Sequence, residues 1–255
     1  MQLIDTHIHF DDDSFDSDRE AAYQRACDVG IKAHIVPAIH VNQWSKMREV
    51  CQTYPNLYPA YGLHPIFLTQ HKSAHLTQLE QWIEQEKPIA VGECGLDFYL
   101  KYLDEEQQIT FFTAQLDIAK NVDLPVILHA RRSVDLVIKY IRRASPICGV
   151  VHSFVGSEQQ AKQLIDLGFY LGFGGTITYE RAKRLHRLIQ ALPLESILLE
   201  TDAPDQPLST HRGERNESSY LPEVLHTIAS LRQQSPEDIA QITTNNAMQL
   251  FNFQL

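Results

Sequence analysis

The sequence has no apolar segment that approaches the length of a membrane-spanning helix, because polar residues interrupt every hydrophobic run. Its polar beginning, "DTHIHFDDD", is also unlike a signal peptide. Cysteine is scarce, and the four cysteines form no CxxC pair, which argues against a disulfide framework and against a zinc ribbon. We therefore expect a cytoplasmic protein that has reduced thiols and does not contact a membrane.

Positive charge is also in short supply. The 255 residues include 22 Lys and Arg against 32 Asp and Glu, so the formal net charge is -10. A protein that binds long stretches of nucleic acid non-specifically neutralises many phosphates with a broad basic surface. Because the composition argues against such a surface, we expect a phosphate-bearing substrate to be held locally, by metal ions or by a few arginine and lysine side chains.

Short apolar runs rich in Val, Ile and Leu alternate with longer amphipathic stretches, and no fixed-period repeat or Pro/Gly-rich linker divides them. This alternation is typical of parallel strands that are connected by helices. The apolar runs are "QLID", "KAHIVPAI", "LYPAYGLHP", "PIAVGECG", "PVILHA", "ICGVVHSF", "FYLGFGG" and "ILLETDAP". The predicted helices cover residues 17–29, 42–54, 75–86, 105–121, 133–144, 157–167, 179–191 and 219–232, and a last helix starts at "SPEDIAQI".

Eight strand and helix units in 255 residues predict an α/β protein with a single (β/α)8 TIM barrel that spans residues 1–255. A doubly wound open sheet of similar composition is the alternative. In a TIM barrel the catalytic residues lie at the carboxyl ends of the strands. Polar side chains that directly follow the apolar runs are therefore the candidates for the chemistry.

Six possible metal ligands directly follow five of the apolar runs. They are His7 and His9 after the first run, Glu93 after the fourth, His129 after the fifth, His152 after the sixth and Asp202 after the eighth. His7 and His9 point to the same side of an extended segment, because successive side chains of a strand alternate. A buried imidazole or carboxylate without a partner costs several kcal/mol, so a shared metal centre explains six such residues better than six separate accidents do.

The order H-x-H, Glu, His, His, Asp along an eight-strand chain resembles that of the amidohydrolase superfamily. The flanking segments "DTHIHF", "GLHP", "GECGLDFY", "LHAR", "HSF", "LLETDAP", "HRGERNE" and "TTNNAMQLF" are similar to landmarks of the TatD-type metal-dependent deoxyribonucleases over essentially the whole chain. A Glu after the fourth strand, where many amidohydrolases have a carboxylated Lys, favours this family. One departure from the pattern of this family is "TDAPDQPL", in which Asp205 adds a carboxylate beside the expected anionic substrate.

Four histidines and two carboxylates suit two divalent ions, and Glu93 can bridge them because a carboxylate has two oxygens. The resemblance implies that one ion is surrounded by His7, His9, Glu93 and Asp202, and the other by Glu93, His129 and His152. Asp202 is the expected base that takes a proton from the attacking water, and Glu93 is the second expected catalytic residue. Mixed ligands suit Zn, Mn or Fe, whereas the family is generally described as magnesium-dependent, so the candidates are Mg, Zn and Mn.

Four further residues are weaker candidates for substrate contacts. His64 in "GLHP" can contact a phosphate, although a turn histidine before a proline explains it equally well. Arg131 is the first choice for a phosphate because a guanidinium binds phosphate in a bidentate manner, with a surface salt bridge as the alternative. Arg212 and Asn216 follow the last apolar run, where they can close over a substrate. Glu200 is expected one layer below the last ligand, in a supporting role.

These expectations favour a hydrolase that cleaves phosphodiester bonds as a 3′-5′ exodeoxyribonuclease on single-stranded DNA ends, because a deep barrel mouth admits a strand terminus more readily than the middle of a duplex. The enzyme alternative is a metallohydrolase of the same scaffold that acts on a small ester, amide or lactone. The non-enzyme alternative is a metal-occupied scaffold that binds a partner, and the complete ligand set with a candidate base argues against it. The expected partners are DNA ends or a small phosphodiester, with no obligate protein partner.

Overall fold

The computed structural model describes residues 1–255 and contains one sheet of eight parallel strands, each paired with the next along the chain. The strands are β1 (Leu3–Asp5), β2 (Ile31–Pro37), β3 (Leu57–Tyr61), β4 (Ala90–Asp97), β5 (Val126–Arg131), β6 (Gly149–Val151), β7 (Phe169–Phe173) and β8 (Ile197–Leu199). The sheet closes where the Thr6 N–H donates to the Leu199 carbonyl at 3.0 Å and the Asp202 N–H donates to the His7 carbonyl at 2.8 Å. The predicted (β/α)8 TIM barrel is confirmed.

Nine α-helices connect the strands or follow the last one. They are α1 (Arg19–Asp28), α2 (Trp44–Thr53), α3 (Ser73–Glu86), α4 (Glu105–Asn121), α5 (Val134–Ala144), α6 (Glu158–Asp166), α7 (Lys183–Ala191), α8 (Leu221–Arg232) and α9 (Pro236–Phe251). The predicted ranges agree within two residues except at α7, which begins at Lys183 rather than at residue 179. A 3₁₀ turn, Gly175–Thr178, comes first, and the Tyr179 hydroxyl then donates to the Pro207 carbonyl at 2.9 Å, outside the helix. No helix is both long enough and apolar enough to cross a bilayer.

Helix α9 closes the amino-terminal end of the barrel. Seven strands contribute to a buried layer made of Ile4, Ala33, Ile35, Ala60, Ala90, Ile127, Val150 and Leu198. The α9 residues that pack against this layer are Ala247, Leu250 and Phe251. In the same helix the Asn246 amide donates to the Leu194 and Ile197 carbonyls, both at 2.9 Å. Apolar side chains fill the amino-terminal end of the barrel. The polar cluster predicted from the sequence must therefore lie at the carboxyl end of the strands.

Candidate metal centre

The six predicted ligands all lie at the carboxyl end of the barrel, on the strands or just beyond them. Strand β1 ends at Asp5 and β8 ends at Leu199, yet a parallel bridge between Ile8 and Ala203 joins the two segments that follow. Main-chain hydrogen bonds thus continue past the regular strands. The side chains that leave this backbone are therefore positioned by the barrel itself rather than by a free loop.

Glu93 is the centre of the cluster and is only 1% exposed. Imidazole nitrogens surround its two oxygens. The distances to Oε1 are 2.8 Å from His152 Nε2, 3.0 Å from His64 Nε2 and 3.2 Å from His129 Nδ1, and those to Oε2 are 3.2 Å from His7 Nε2 and 3.7 Å from His9 Nε2. Burial alone would raise the pKa of Glu93, but the neighbouring histidines hold this pKa well below its usual value. The carboxylate is therefore ionised and has both oxygens available for sharing.

Asp202 lies beside His7 and His9 in the same cluster. Its Oδ1 lies 3.4 Å from His7 Nε2 and 3.6 Å from His9 Nε2. Burial raises the pKa of Asp202, but the hydrogen bond with His9 and the nearby imidazoles outweigh it, so the pKa falls below its usual range. The other oxygen, Oδ2, accepts a hydrogen bond from the Gln206 amide at 2.5 Å. Asp202 also has a φ of +58°, in the left-handed region. This backbone conformation costs free energy in a residue other than glycine, and such residues cluster at functional sites.

Hydrogen bonds outside the cluster determine which ring nitrogen of two histidines faces it. His9 Nδ1 lies 3.1 Å from the Pro37 carbonyl, which can only accept, so this nitrogen carries the proton. His129 Nε2 lies 3.2 Å from Asp97 Oδ2 and donates to that carboxylate. In the neutral form of each ring, the nitrogen that faces Glu93 therefore has a free lone pair.

The donor set fits a divalent cation. His7 Nε2, which faces Glu93 Oε2 and Asp202 Oδ1, is a buried polar atom that makes no hydrogen bond. Buried polar atoms without partners cost free energy, and lone pairs that converge on one point are the arrangement that a bound cation satisfies. The candidate ligand atoms form three groups, which are His7, His9 and Asp202; His7, Glu93 and His152; and His64, Glu93 and His129. Glu93 belongs to two of them, as a bridging carboxylate would.

His64 lies nearer to the centre than the sequence indicated, and its hydrogen bonds favour a donor rather than a ligand. Its Nδ1 accepts a hydrogen bond from the Ile66 N–H at 3.1 Å. A neutral imidazole then carries its proton on Nε2, which is the nitrogen 3.0 Å from Glu93 Oε1. Burial lowers the pKa of His64, which favours this neutral form. The residue therefore presents an N–H to whatever anion occupies the cluster.

Glu200 lies beneath the cluster, as expected, and is 1% exposed. Its Oε1 accepts a hydrogen bond from the Ser153 N–H and lies 3.8 Å from His152 Nδ1. Burial raises its pKa to about 8. Gly172 makes room for it, because a Cβ on that residue would lie 2.1 Å from Glu200 Oε2. Gly172, the first glycine of "FYLGFGG", therefore permits the close approach of this carboxylate.

Asp97 and Gln206 are two residues of the site that the sequence analysis missed. Asp97 is 1% exposed and joins the His129 ring to the loop that follows β4, since its Oδ1 accepts from the Tyr99 N–H at 2.9 Å. The segment "GECGLDFY" contains this carboxylate four residues after Glu93, and a buried acid so close to a ligand is the signal that could have found it. Gln206 gives no such signal, because only the fold of its loop brings it to Asp202.

The weaker candidates for substrate contacts have different surroundings. Arg131 has a half-exposed side chain, and its Nη1 lies 3.9 Å from Asp97 Oδ2 at the edge of the cluster. Arg212 is exposed and makes no hydrogen bond or ion pair through its side chain. Asn216 is fully buried, and its amide donates to the carbonyls of Thr201 and Asp205, both at 2.8 Å. The substrate contact expected of Asn216 stays a prediction, and in this structure its amide hydrogens hold the loop after β8.

A TIM barrel that gathers four histidines and two carboxylates at its carboxyl end has the architecture of a metal-dependent hydrolase. The family model described as TatD related DNase matches residues 4–252. The chain belongs to this family, and it is a metal-dependent hydrolase.

Individual relatives extend over nearly the whole chain. The chain is 43% identical over 254 residues to the uncharacterized metal-dependent hydrolase YjjV of Escherichia coli strain K12, with 98% of each chain covered. It is 31% identical over 258 residues to a protein of Salmonella typhimurium named 3′-5′ ssDNA/RNA exonuclease TatD, again with 98% of each chain covered. The crystal structure of YjjV superposes with a TM-score of 0.95, at 42% identity, and covers 99% of this chain and 98% of that one.

Proposed function

We propose that this protein is a 3′-5′ exodeoxyribonuclease that removes nucleotides from single-stranded DNA ends, within one TIM-barrel domain that spans residues 1–255 and holds two divalent ions. The observation that carries the proposal is the convergence of four predicted ligand histidines on the buried Glu93 carboxylate, with Asp202 beside them. The direction of cleavage rests on the relative that is named a 3′-5′ ssDNA/RNA exonuclease.

Two sets of residues would hold the ions, with Glu93 in both. The first set is His7, His9, Glu93 and Asp202, and the second is Glu93, His129 and His152, with Mg, Zn or Mn as the metal. When bound, such ions polarise a phosphoryl oxygen and lower the pKa of a water molecule. They would also offset the negative charge of the protein where the substrate phosphate must sit.

The remaining steps belong to side chains of this protein. Asp202 Oδ1 accepts the proton of the attacking water, while the hydrogen bond from Gln206 to Oδ2 holds the carboxylate in place. The His64 Nε2–H donates to a non-bridging oxygen of the scissile phosphate, where negative charge grows in the transition state. Arg131 contacts the same phosphate or the next one, because its guanidinium lies at the edge of the cluster.

The depth of the site favours a strand end. Glu93 and His7 are 1% and 0% exposed, and they lie below the loops that follow the strands. A free terminus can reach them, whereas the middle of a strand would have to fold sharply into the barrel. We therefore expect cleavage to require an end and to be slow on a blunt duplex, whose terminus must first unpair.

The test compares three substrates: a linear single strand, a closed single-stranded circle and a neutral ester. We expect cleavage of the linear strand from its 3′ end and no cleavage of the circle. Equal cleavage of circular and linear DNA would contradict exonuclease action. Rapid ester hydrolysis without any DNA cleavage would replace the proposal with the small-ester alternative.

A further inference from the structure

The exposed apolar side chains of this protein are concentrated around the barrel mouth. Of the eight large hydrophobic residues that are exposed, four lie in loops that follow β3, β4 and β6, and these are Ile66, Tyr99, Tyr102 and Val155. The most exposed of all is Tyr102, at 74%. Tyr99 and Tyr102 lie three residues apart in the loop that follows the strand bearing Glu93, so these two exposed rings are candidates for contacts with a ligand of the candidate metal centre.

Three cations accompany the two tyrosines. The guanidinium carbons of Arg131 and Arg132 lie 3.8 Å and 4.7 Å from the centre of the Tyr99 ring. Lys101 is exposed between the two tyrosines in the same loop. We call these five residues of the loops after β4 and β5 the aromatic platform: Tyr99, Lys101, Tyr102, Arg131 and Arg132.

Hydrogen bonds connect the Tyr99 and Arg131 side of the aromatic platform to the candidate metal centre. Asp97 accepts hydrogen bonds from both the His129 ring and the Tyr99 N–H, so one carboxylate joins the two. The Phe98 N–H donates to the Arg131 carbonyl at 2.9 Å, which ties the two loops together. At the other end of the first loop, Asp104 caps helix α4 by accepting from the Gln107 N–H at 2.6 Å.

The side of the barrel mouth across from the aromatic platform carries acidic residues. Because the strand order follows the chain, the loop after β1 lies across the barrel from the loop after β5. That loop contains the run "DDDSFDSD", in which Asp13 has a 92% exposed side chain. Four cations, Arg19, Arg25, Lys46 and Arg215, pair with Asp13, Asp16 and Asp18, and Asp11 and Asp12 have no ion pair. A polyanion that enters the mouth is therefore less favoured on the β1 side than beside the cations of the β4 and β5 side.

We propose that the aromatic platform binds the single strand of nucleic acid upstream of the scissile phosphate, with a base stacked on Tyr102, phosphates held by Arg132 and Lys101, and the Tyr99 ring supporting the two guanidinium groups. This inference rests on the proposed function and adds a path for the substrate. Stacking accepts every base because each has a flat face, so the platform selects unpaired nucleotides without selecting sequence. It also supplies local positive charge in a protein whose net charge is -10.

The test uses a single-stranded oligonucleotide that carries 2-aminopurine a few nucleotides from its 3′ end. The linkages at that end are phosphorothioates, which slow hydrolysis, so that binding to the metal-loaded protein is measured with little cleavage. We expect wild-type protein to quench the fluorescence on binding, and Tyr102→Ala to weaken binding about tenfold, the loss typical of one stacked base. Arg132→Gln should weaken binding and lower its salt dependence by about one phosphate contact. Lys162→Gln, which removes an exposed cation from helix α6, is the matched control and should bind as wild type does.

Cleavage with metal present is the second measurement. For Tyr102→Ala the ratio of kcat/KM for the oligonucleotide to kcat/KM for a small phosphodiester should fall about tenfold, because the small substrate cannot span the distance to the loop. Binding of the oligonucleotide by both variants at wild-type strength would overturn the platform, even if the protein is a nuclease. Tight binding that depends on Tyr102, without cleavage of any DNA, would keep the platform and overturn the proposed function.

Discussion

Asp97 and His129 form the hydrogen bond that orients one side of the candidate metal centre. Asp97 Oδ2 lies 3.2 Å from His129 Nε2, and the other ring nitrogen lies 3.2 Å from Glu93 Oε1. A carboxylate in this position fixes the tautomer of the ring and makes its free nitrogen a stronger donor to a cation. The last residue of β4 thus supports a candidate ligand that belongs to β5.

We expect Asp97→Asn to lower metal affinity about 10- to 100-fold, because the ring loses its charged partner. Titration of metal-free protein against a chelator of known affinity measures this. Asp104→Asn is the matched control, since Asp104 caps α4 in the same stretch, has no contact with the cluster, and asparagine caps helices as well as aspartate does. Equal metal affinity in wild type and Asp97→Asn would show that the hydrogen bond does not support the ligand.

The Asp202→Asn variant distinguishes the role of Asp202 as a base from its role in metal binding. Asparagine keeps the shape and one coordinating oxygen but cannot take a proton, so activity should fall by about 10² to 10⁴ while metal content falls much less. The exposed Asp205 three residues later provides the comparison, because Asp205→Asn removes a neighbouring negative charge but leaves the Asp202 carboxylate in place. If Asp202→Asn loses metal and activity in parallel, Asp202 is a ligand only.

Metal affinity should rise with pH. Burial lowers the pKa of His9 and of His152, but Asp202 and Glu93 outweigh it and raise these values to about 9 and about 10 in the metal-free protein. Both rings are therefore protonated near neutral pH and must lose these protons before their lone pairs can bind a cation. Calorimetric titration in buffers of different ionisation enthalpy should detect the release of about two protons per chain on metal binding. Binding without proton release would contradict this assignment.

His34 should make the protein less stable in acid. It is buried against Phe10, its ring nitrogens have no partner, and burial lowers its pKa to about 4 from a usual value of 6.5. Between these two values the unfolded chain binds a proton that the folded chain does not, so the stabilising effect is complete above 6.5 and is lost as pH falls. The free energy of unfolding of wild type minus that of His34→Leu should therefore fall by about 2 kcal/mol from about pH 7 to about pH 4.5.

Urea unfolding of both proteins at each pH measures this difference. The comparison cancels the contributions of the other buried histidines, which titrate in both proteins. A difference in free energy of unfolding that does not change with pH would mean that His34 already has access to solvent.

The barrel and the convergence of the six candidate ligands could be predicted because each of these residues directly follows an apolar run, and a parallel barrel brings all such positions to one end. The residues that support these candidate ligands could not be predicted from the sequence. Gln206 reaches Asp202 only through the path of a loop, and the tautomer of His64 depends on the hydrogen bond from Ile66. The hydrogen bonds of Asn216 could not be predicted either, since nothing in its sequence position reveals that three backbone carbonyls accept from its amide.

The measurement that tests the central claim most directly is the metal content of the purified protein, determined by elemental analysis after growth and purification with divalent metal supplied. We expect about one to two ions per chain, and a lower content in His7→Ala and in His129→Ala, whose circular dichroism and cooperative unfolding should remain those of a folded barrel. Wild-type protein with less than about one ion per several chains under these conditions would contradict a metal centre built from these six residues.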